Sequence, residues 1–391
     1  MKKLGLSGMI IFLIFVLILV GCCTNNGEDN GVVTPPNGEE EENGDEDESD
    51  ENAGENAENA GENAEEALSS YDFYPFLQNV RLHYDGAGSE YVEEKIHFDY
   101  VYENRAQIRR QTGGTTLLEV IHHDDGKVYS VFQKGESYRR ESFYNLDLLE
   151  VEDAEILIMD PIEIGTQWEV REGVLREITN VGMILATPAG EFEVIEVTTY
   201  EEDSTFTVYY GKDYGKVKTL FEADETEIYT ELVDVDEDYQ VVEEVTFFYP
   251  EFNEDRLVYF EEAIPLATNV EIEDIFEQYF RRSPREDSDE YVGLMSENTS
   301  INFIRLNRED FVGHIDFSEE FVTEMNAGTT LESMILSSVV RTVGEYFRVG
   351  EVKLTIEGEP YTSGHFEFQE GEYLENTPGD NEQEIEKVWM D

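Results

Sequence analysis

Beyond residue 23 the chain has no cysteine, and from Thr24 to Leu68 it has no basic residue. The first absence removes disulfides from everything downstream, so whatever folds there must stand on packed cores. The second leaves a stretch of Gly, Asn, Ala, Glu and Asp with almost nothing to bury, which stays solvated. Tryptophan is scarce, but 23 Phe and 22 Tyr accompany abundant Val, Ile and Thr, and these residue types favour sheets. Residues 69–391 also lack an HExxH, a Walker loop, a nucleophile elbow and a cysteine nucleophile, so no motif marks a catalytic class.

Positive charge is the other scarcity. The 391 residues carry a formal net charge of −65, and residues 69–391 hold 74 acids against 24 bases, leaving that part near −50. An acidic tail therefore does not account for the charge, which must cover the folded surface and repel itself there. Salt would relieve the repulsion, because the Debye length falls to about 3 Å near 1 M. The composition predicts a protein of saline habitat and argues against binding nucleic acid or anionic lipid headgroups.

The N-terminus sets the address. Met1-Lys2-Lys3 precedes an apolar run, Ile10 to Val20, that is too short for a standard membrane-spanning helix and reads as an export signal. It ends in Leu19-Val20-Gly21-Cys22, which resembles the bacterial lipobox. That resemblance implies residues 1–21 as a signal peptide and Cys22 as the lipidated mature N-terminus. The bland alternative is an uncleaved anchor helix, and both readings place the rest outside the cytoplasm. Residues 22–68 then form an acidic tether spanning roughly 35–40 Å as a flexible coil.

Residues 69–244 predict an antiparallel β-rich domain, a curved sheet or partial barrel. Tyr91–Tyr102, Leu117–His123, Val128–Lys134, Trp168–Thr179, Phe192–Thr199 and Thr205–Tyr210 read as strands, and Asp124-Asp125-Gly126 and Pro188-Ala189-Gly190 as tight turns. Pro161-Ile-Glu-Ile-Gly165-Thr-Gln-Trp168 and Tyr209-Tyr-Gly-Lys-Asp-Tyr-Gly215 resemble a β-rich domain of exported lipoproteins, to which no known chemistry attaches.

From Val245 the period changes. Val245–Tyr249 and Arg256–Phe260 read as strands, and Asn269–Arg282 as a helix. Ser300–Asn307 and Phe311–Phe317 follow as strands, Ser318 as the cap of a short turn, Thr329–Phe347 as a long helix and Val352–Ile356 as a closing strand. Leu331, Ile335, Val339, Val343 and Phe347 share one face of the long helix. This is a small α/β layer, and the whole chain is α+β and multidomain. Tyr249-Pro, Leu257-Val-Tyr, Gly293-Leu-Met-Ser296, His314-Ile-Asp316-Phe and Val352-Lys-Leu-Thr-Ile-Glu-Gly358, in this order, resemble the GerMN domain of sporulation and spore germination proteins. The chain departs from that pattern at Arg341-Thr342-Val343, where Asn-Thr-Leu-like residues are usual. The resemblance, over roughly residues 245–360, implies an exported protein of the spore-former type; the GerMN-like domain is expected over residues 245–372, followed by an acidic tail at 373–391.

Candidate chemistry is thin. Asp234-Val-Asp236-Glu-Asp238 imitates half a calcium loop, but Tyr239 and Val245 stand where Gly and a bidentate acid are needed, which favours an acidic interdomain turn. His122 and His123 are adjacent on a strand and so point to opposite faces, which keeps them from sharing one metal ion with Asp124 or Asp125. His314 and Asp316 share a face and have the types of a base and its orienting carboxylate, while Tyr249, Leu257, Phe260 and Phe317 read as core. No cofactor, metal or catalytic residue is expected. The expected role is a lipid-anchored, non-catalytic interaction or assembly module, self-associating or binding an envelope protein through a sheet edge or helix face of the GerMN-like domain; the alternative is a β domain that holds a lipid, peptide or glycan.

Overall fold

Residues 68–88, 93–143 and 154–390 are described by the computed structural model; Cys22, the apolar run and the tether lie outside the described residues. The first sheet contains β1 (Arg81–Ala87), β2 (Glu94–Tyr102), β3 (Arg105–Thr112), β4 (Thr116–Asp124), β5 (Lys127–Lys134), β6 (Glu155–Met159), β7 (Gln167–Arg171), β8 (Val174–Thr187), β9 (Gly190–Tyr200), β10 (Thr205–Gly211), β11 (Gly215–Ala223) and β12 (Thr226–Asp236). Their spatial order is β6-β5-β4-β3-β2-β1-β12-β11-β10-β9-β8-β7. Two antiparallel meanders thus meet where β1 pairs with β12.

Side chains close the remaining seam. Trp168 Nε1 donates to the Ile156 carbonyl at 3.0 Å, and Arg176 donates to the same oxygen at 2.6 Å while pairing with Glu155 at 2.7 Å. The sheet is therefore a nearly closed barrel. Strand alternation turns Ile96, Phe98, Ala106 and Ile108 inward, and leaves His97, Asp99, Gln107 and Arg109 on the outer face. The interior is filled by Tyr84, Tyr210 and these apolar residues, with Arg110 held between Glu94 at 3.0 Å and Glu119 at 3.1 Å and Lys216 paired to Glu94. A 3₁₀ turn, Ser70–Phe73, bridges loops at one mouth: the Ser70 amide donates to Asp160 and the Asp213 amide to the Asp72 carbonyl.

The turn signals act as their chemistry requires. Asp125 (φ 44°) and Gly126 (φ 66°) make the left-handed pair of a tight β4–β5 hairpin. The strand expected over Trp168–Thr179 is instead two, β7 and β8, because Glu172-Gly173 reverses the chain with Gly173 at φ 77°.

The second part opens with the hairpin β13 (Val241–Glu251) and β14 (Arg256–Leu266), followed by α1 (Ile272–Arg281), β15 (Ile301–Asn307), β16 (Val312–Phe317), α2 (Glu320–Thr323), α3 (Thr329–Phe347) and β17 (Glu351–Ile356). Three two-residue strands end it: β18 (Glu359–Pro360), β19 (Leu374–Glu375) and β20 (Gln383–Glu384). β16 and β17 are parallel and joined through α3, whose Ile335, Val339, Val343 and Phe347 are buried as the period requires. Two local expectations fail. Ser318 makes no side-chain cap, because its hydroxyl accepts the Ser300 amide at 3.0 Å. Leu257 is only half-buried: β14 turns Val258 and Phe260 inward, and Leu257 faces the other way. No helix among the described residues is long and apolar enough to cross a membrane.

Candidate docking surface on the long helix

The described residues from Leu68 onward pack as one compact unit, and a buried charge cluster is what fixes the second part to the barrel. Arg109 on β3 takes Asp99 of β2 at 2.8 Å and Glu243 of β13 at 3.1 Å. Arg140, 1% exposed, pairs with Asp99 at 3.2 Å and donates to the carbonyls of Ala267 and Val270 at 2.7 and 2.9 Å. Tyr346 of α3 donates its hydroxyl to Glu243 at 2.6 Å. Burial opposes the charge on Asp99, yet the two guanidiniums hold its carboxyl far below the usual range. A reciprocal pair adds direction: the Asn79 amide donates to Thr268 Oγ1 and the Thr268 amide to Asn79 Oδ1, each at 2.8 Å. α3 is thereby oriented with Tyr346 toward the barrel.

The opposite side of α3 carries Ser333, Ser337, Val340 and Arg341, of which Ser333, Val340 and Arg341 each lie three or four residues from Ser337 and so share its face. An extended segment, residues 363–390, crosses this face as a strap. A cleft of about 400 Å³ remains between them, lined among others by Leu257, Met334, Ser337, Phe366 and Leu374. Arg341 is the anchor. Its guanidinium meets both oxygens of Glu382 at 2.8 and 2.9 Å, Glu345 at 2.8 Å and the Asn376 side-chain oxygen, and lies 4.5 Å from the Phe248 ring centre. Burial alone would ease its proton off, but the bonds to Glu382 and Glu345 hold the group firmly charged. One turn on, Gly344 lets Asn376 pass: a Cβ there would sit 2.7 Å from the Asn376 Cβ. Asn376 then donates its side-chain amide to the Val349 carbonyl at 2.7 Å.

The strap also covers sheet edges. β19 pairs antiparallel with β17, and β20 pairs parallel with β14. Lys387 completes it, paired with Glu262 at 2.6 Å and 4.4 Å from the Trp389 ring centre. At the strap's start, buried Glu332 of α3 accepts from Tyr361 at 2.8 Å, from Ser363 and from His365 at 2.5 Å. Burial would raise that carboxyl, but these donors keep it below its usual value. The free edge of β15 is closed differently. Glu277, Glu273 and Glu141 accept the amides of Ile301, Ile304 and Leu306 at 2.7, 3.1 and 2.7 Å, where a neighbouring strand would present carbonyls.

The residues singled out from sequence sit apart from this surface. His122 bonds the Asn104 carbonyl on one face of β4, whereas His123 is stacked between Tyr71 and Phe76 on the other, and burial pushes its imidazole down to about 4. Asp236 pairs with Arg81, and no cluster of three metal-ligating side chains exists among the described residues. His314 and Asp316 are joined, but through a third residue: His314 Nε2 meets Thr355 Oγ1 at 2.8 Å, and that hydroxyl donates to Asp316. Asp316 is further tied to the Gly358 amide at 2.8 Å and to Asn302 at 2.8 Å. Thr355 is fully buried and both its hydrogen-bonding roles are used, so the trio braces the ends of β16 and β17. Tyr249, Phe260 and Phe317 are core, as their patterning implies.

Neither Arg341 nor the strap stands out in the sequence as a site. The one available signal is that Arg341 falls where the GerMN pattern carries an Asn-like residue.

Residues 244–362 match the Germane family, described as sporulation and spore germination. No curated protein matches the chain. Among solved structures, a Bacteroides fragilis protein described as exported and of YmcC-like fold is similar at 12% identity, over 42% of this chain and 98% of that one, with a TM-score of 0.28. The tandem GerMN domains of the sporulation protein GerM from Bacillus subtilis are similar at 18% identity over 31% of this chain and 40% of that one (TM-score 0.22). A Clostridium perfringens protein described as a lipoprotein is similar at 14% identity over 35% of this chain and 87% of that one (TM-score 0.22).

Proposed function

We propose that this chain, which carries a Germane domain at residues 244–362, is a non-catalytic docking module held on the outer face of the cell membrane by a lipid on Cys22. Its partner is an envelope protein, in an assembly linked to sporulation or germination. The observation that carries the reading is the outward face of α3, where Arg341, Gly344 and the β14 edge hold an extended segment along their length. Helix grooves and sheet edges recognise extended chain in this way, with main-chain pairing for affinity and side-chain pockets for choice. The barrel serves as a rigid mount. Its interior, filled by Tyr84, Tyr210 and the Glu94–Arg110–Glu119 ion pairs, favours a mount over a ligand carrier.

The reading is tested in crosslinked envelopes with the full-length chain. Ser333 and Ser337 are exposed on α3, so arginines placed at both fill the cleft without entering the core. The S333R/S337R protein should lose its envelope partner while keeping the wild-type melt, and equal recovery from both proteins contradicts docking at this face. A Cys22→Ser protein should leave the membrane fraction with both parts folded.

A further inference from the structure

The strap lies immediately beyond the residues that match the Germane family, and three observations describe how it is held. From Thr362 to Met390 none of its residues is buried, although it covers Met334, Leu336, Val340 and Arg341, all under 9% exposed. Its ladders are two residues long on each edge. A cleft of about 400 Å³ separates part of it from α3, so the packing beneath it is incomplete. Its apolar contacts with the core, through Phe366, Phe368, Leu374, Ile385 and Trp389, are made by half-buried side chains, and a segment held this way with short ladders opens locally at lower cost than the core it rests on.

We infer that residues 363–390 are a built-in ligand of the Germane domain, holding closed a surface that an extended acidic segment of a partner protein occupies when the strap is displaced. The occupant's chemistry is written in the strap. It carries a carboxylate to meet both donors of Arg341, as Glu382 does, and a small polar side chain to pass over Gly344 and reach the Val349 carbonyl, as Asn376 does. It also has free main-chain groups to pair with Val258 and Tyr259 of β14. Because the strap is tethered, its effective concentration is in the millimolar range, and a partner outcompetes it only by binding tightly or by finding the strap open. That the strap is a displaceable cover rests on this geometry alone; the nature of its natural competitor rests on the docking reading.

The test uses the full chain and a fluorescent peptide of residues 363–390. Removing the clamp from the strap side, in an N376A/E382Q protein, leaves the groove intact and should tighten peptide binding at least tenfold over wild type. Gly344→Ala works from the groove side. Alanine is a better helix former than glycine, so α3 persists, yet its Cβ collides with Asn376 whichever strap carries it. This protein should lose hydrogen-exchange protection at the Asn376 and Ile385 amides and bind the peptide no better than wild type. Equal peptide affinity for wild type and N376A/E382Q would overturn the inference, as would tight peptide binding by Gly344→Ala. A clamp variant that dimerises by exchanging straps would replace the foreign partner with a second copy and overturn the inference as stated. None of these readouts needs the envelope partner, so a failed envelope crosslink beside a positive peptide result sinks the docking reading alone.

Discussion

Arg109 of β3 brings its guanidinium to 3.1 Å from the carboxylate of Glu243 on β13, and both side chains are shut away from water. The contact joins the barrel to the strand that opens the Germane domain. Removing one member of a buried pair leaves the other as an uncompensated charge, which costs about 3–5 kcal/mol. Glu243→Ala should therefore lower stability by that order in urea unfolding, since Asp99 is left as the one carboxylate facing two buried guanidiniums, Arg109 and Arg140, the Arg140 amide loses its acceptor, and the Tyr346 hydroxyl keeps only the Arg140 carbonyl. The E243L/R109M double substitution should restore much of the loss, because paired apolar groups replace paired charges at little net cost. Additive losses in that double-mutant cycle would show the two side chains to be uncoupled.

Acid–base titration has a localised expectation at Glu273. Its carboxyl is raised to about 7, chiefly by burial, although the Ile304 amide donates to it. The folded value lies above the unfolded value of about 4.3, so the folded chain holds this proton longer. The stabilising effect is complete below about pH 4.3 and is lost as pH rises through about 7. Glu273→Gln, which still accepts the amide but carries no charge, should raise the melting temperature at pH 8 and change it little at pH 4.5. A gain of equal size at both pH values would contradict the assignment.

Salt should stabilise the folded part. With 74 acids against 24 bases beyond residue 68, surface repulsion at about 0.1 M NaCl is screened over about 10 Å, and near 1 M and above over about 3 Å or less. The melting temperature should rise between about 0.1 M and roughly 2 M NaCl, where the screening length differs severalfold. A flat melt would remove the case for adaptation to a saline habitat.

What the sequence made legible follows from periodicity. α3 runs Thr329–Phe347 as read, because a 3.6-residue apolar repeat over five turns has no competing interpretation. The barrel meanders were legible where β-branched runs meet turn residues, at β4–β5 and β8–β9. The joining cluster was not. Asp99, Arg109 and Arg140 occupy alternate or loop positions that read as a solvated face, and in a chain with 91 acids Glu243 has no distinguishing mark. The strap was hidden for a related reason: Phe366, Phe368, Leu374, Ile385 and Trp389 are isolated apolar residues in acidic surroundings, too sparse to form a period, yet each packs against the core. Only contact with a surface already built by the preceding 120 or so residues gives such a segment its course.

Docking at the outward face of α3 is measured most directly by site-specific photocrosslinking in cells, with the reactive residue at Ser337 on that face or at Glu225 in the exposed β11–β12 turn. One discrete intermolecular adduct is expected from Ser337 and none from Glu225. The adduct should increase in the N376A/E382Q background and disappear when the 363–390 peptide is supplied to permeabilised cells. The same products from both positions, or a Ser337 adduct indifferent to strap and peptide, would contradict docking at this surface.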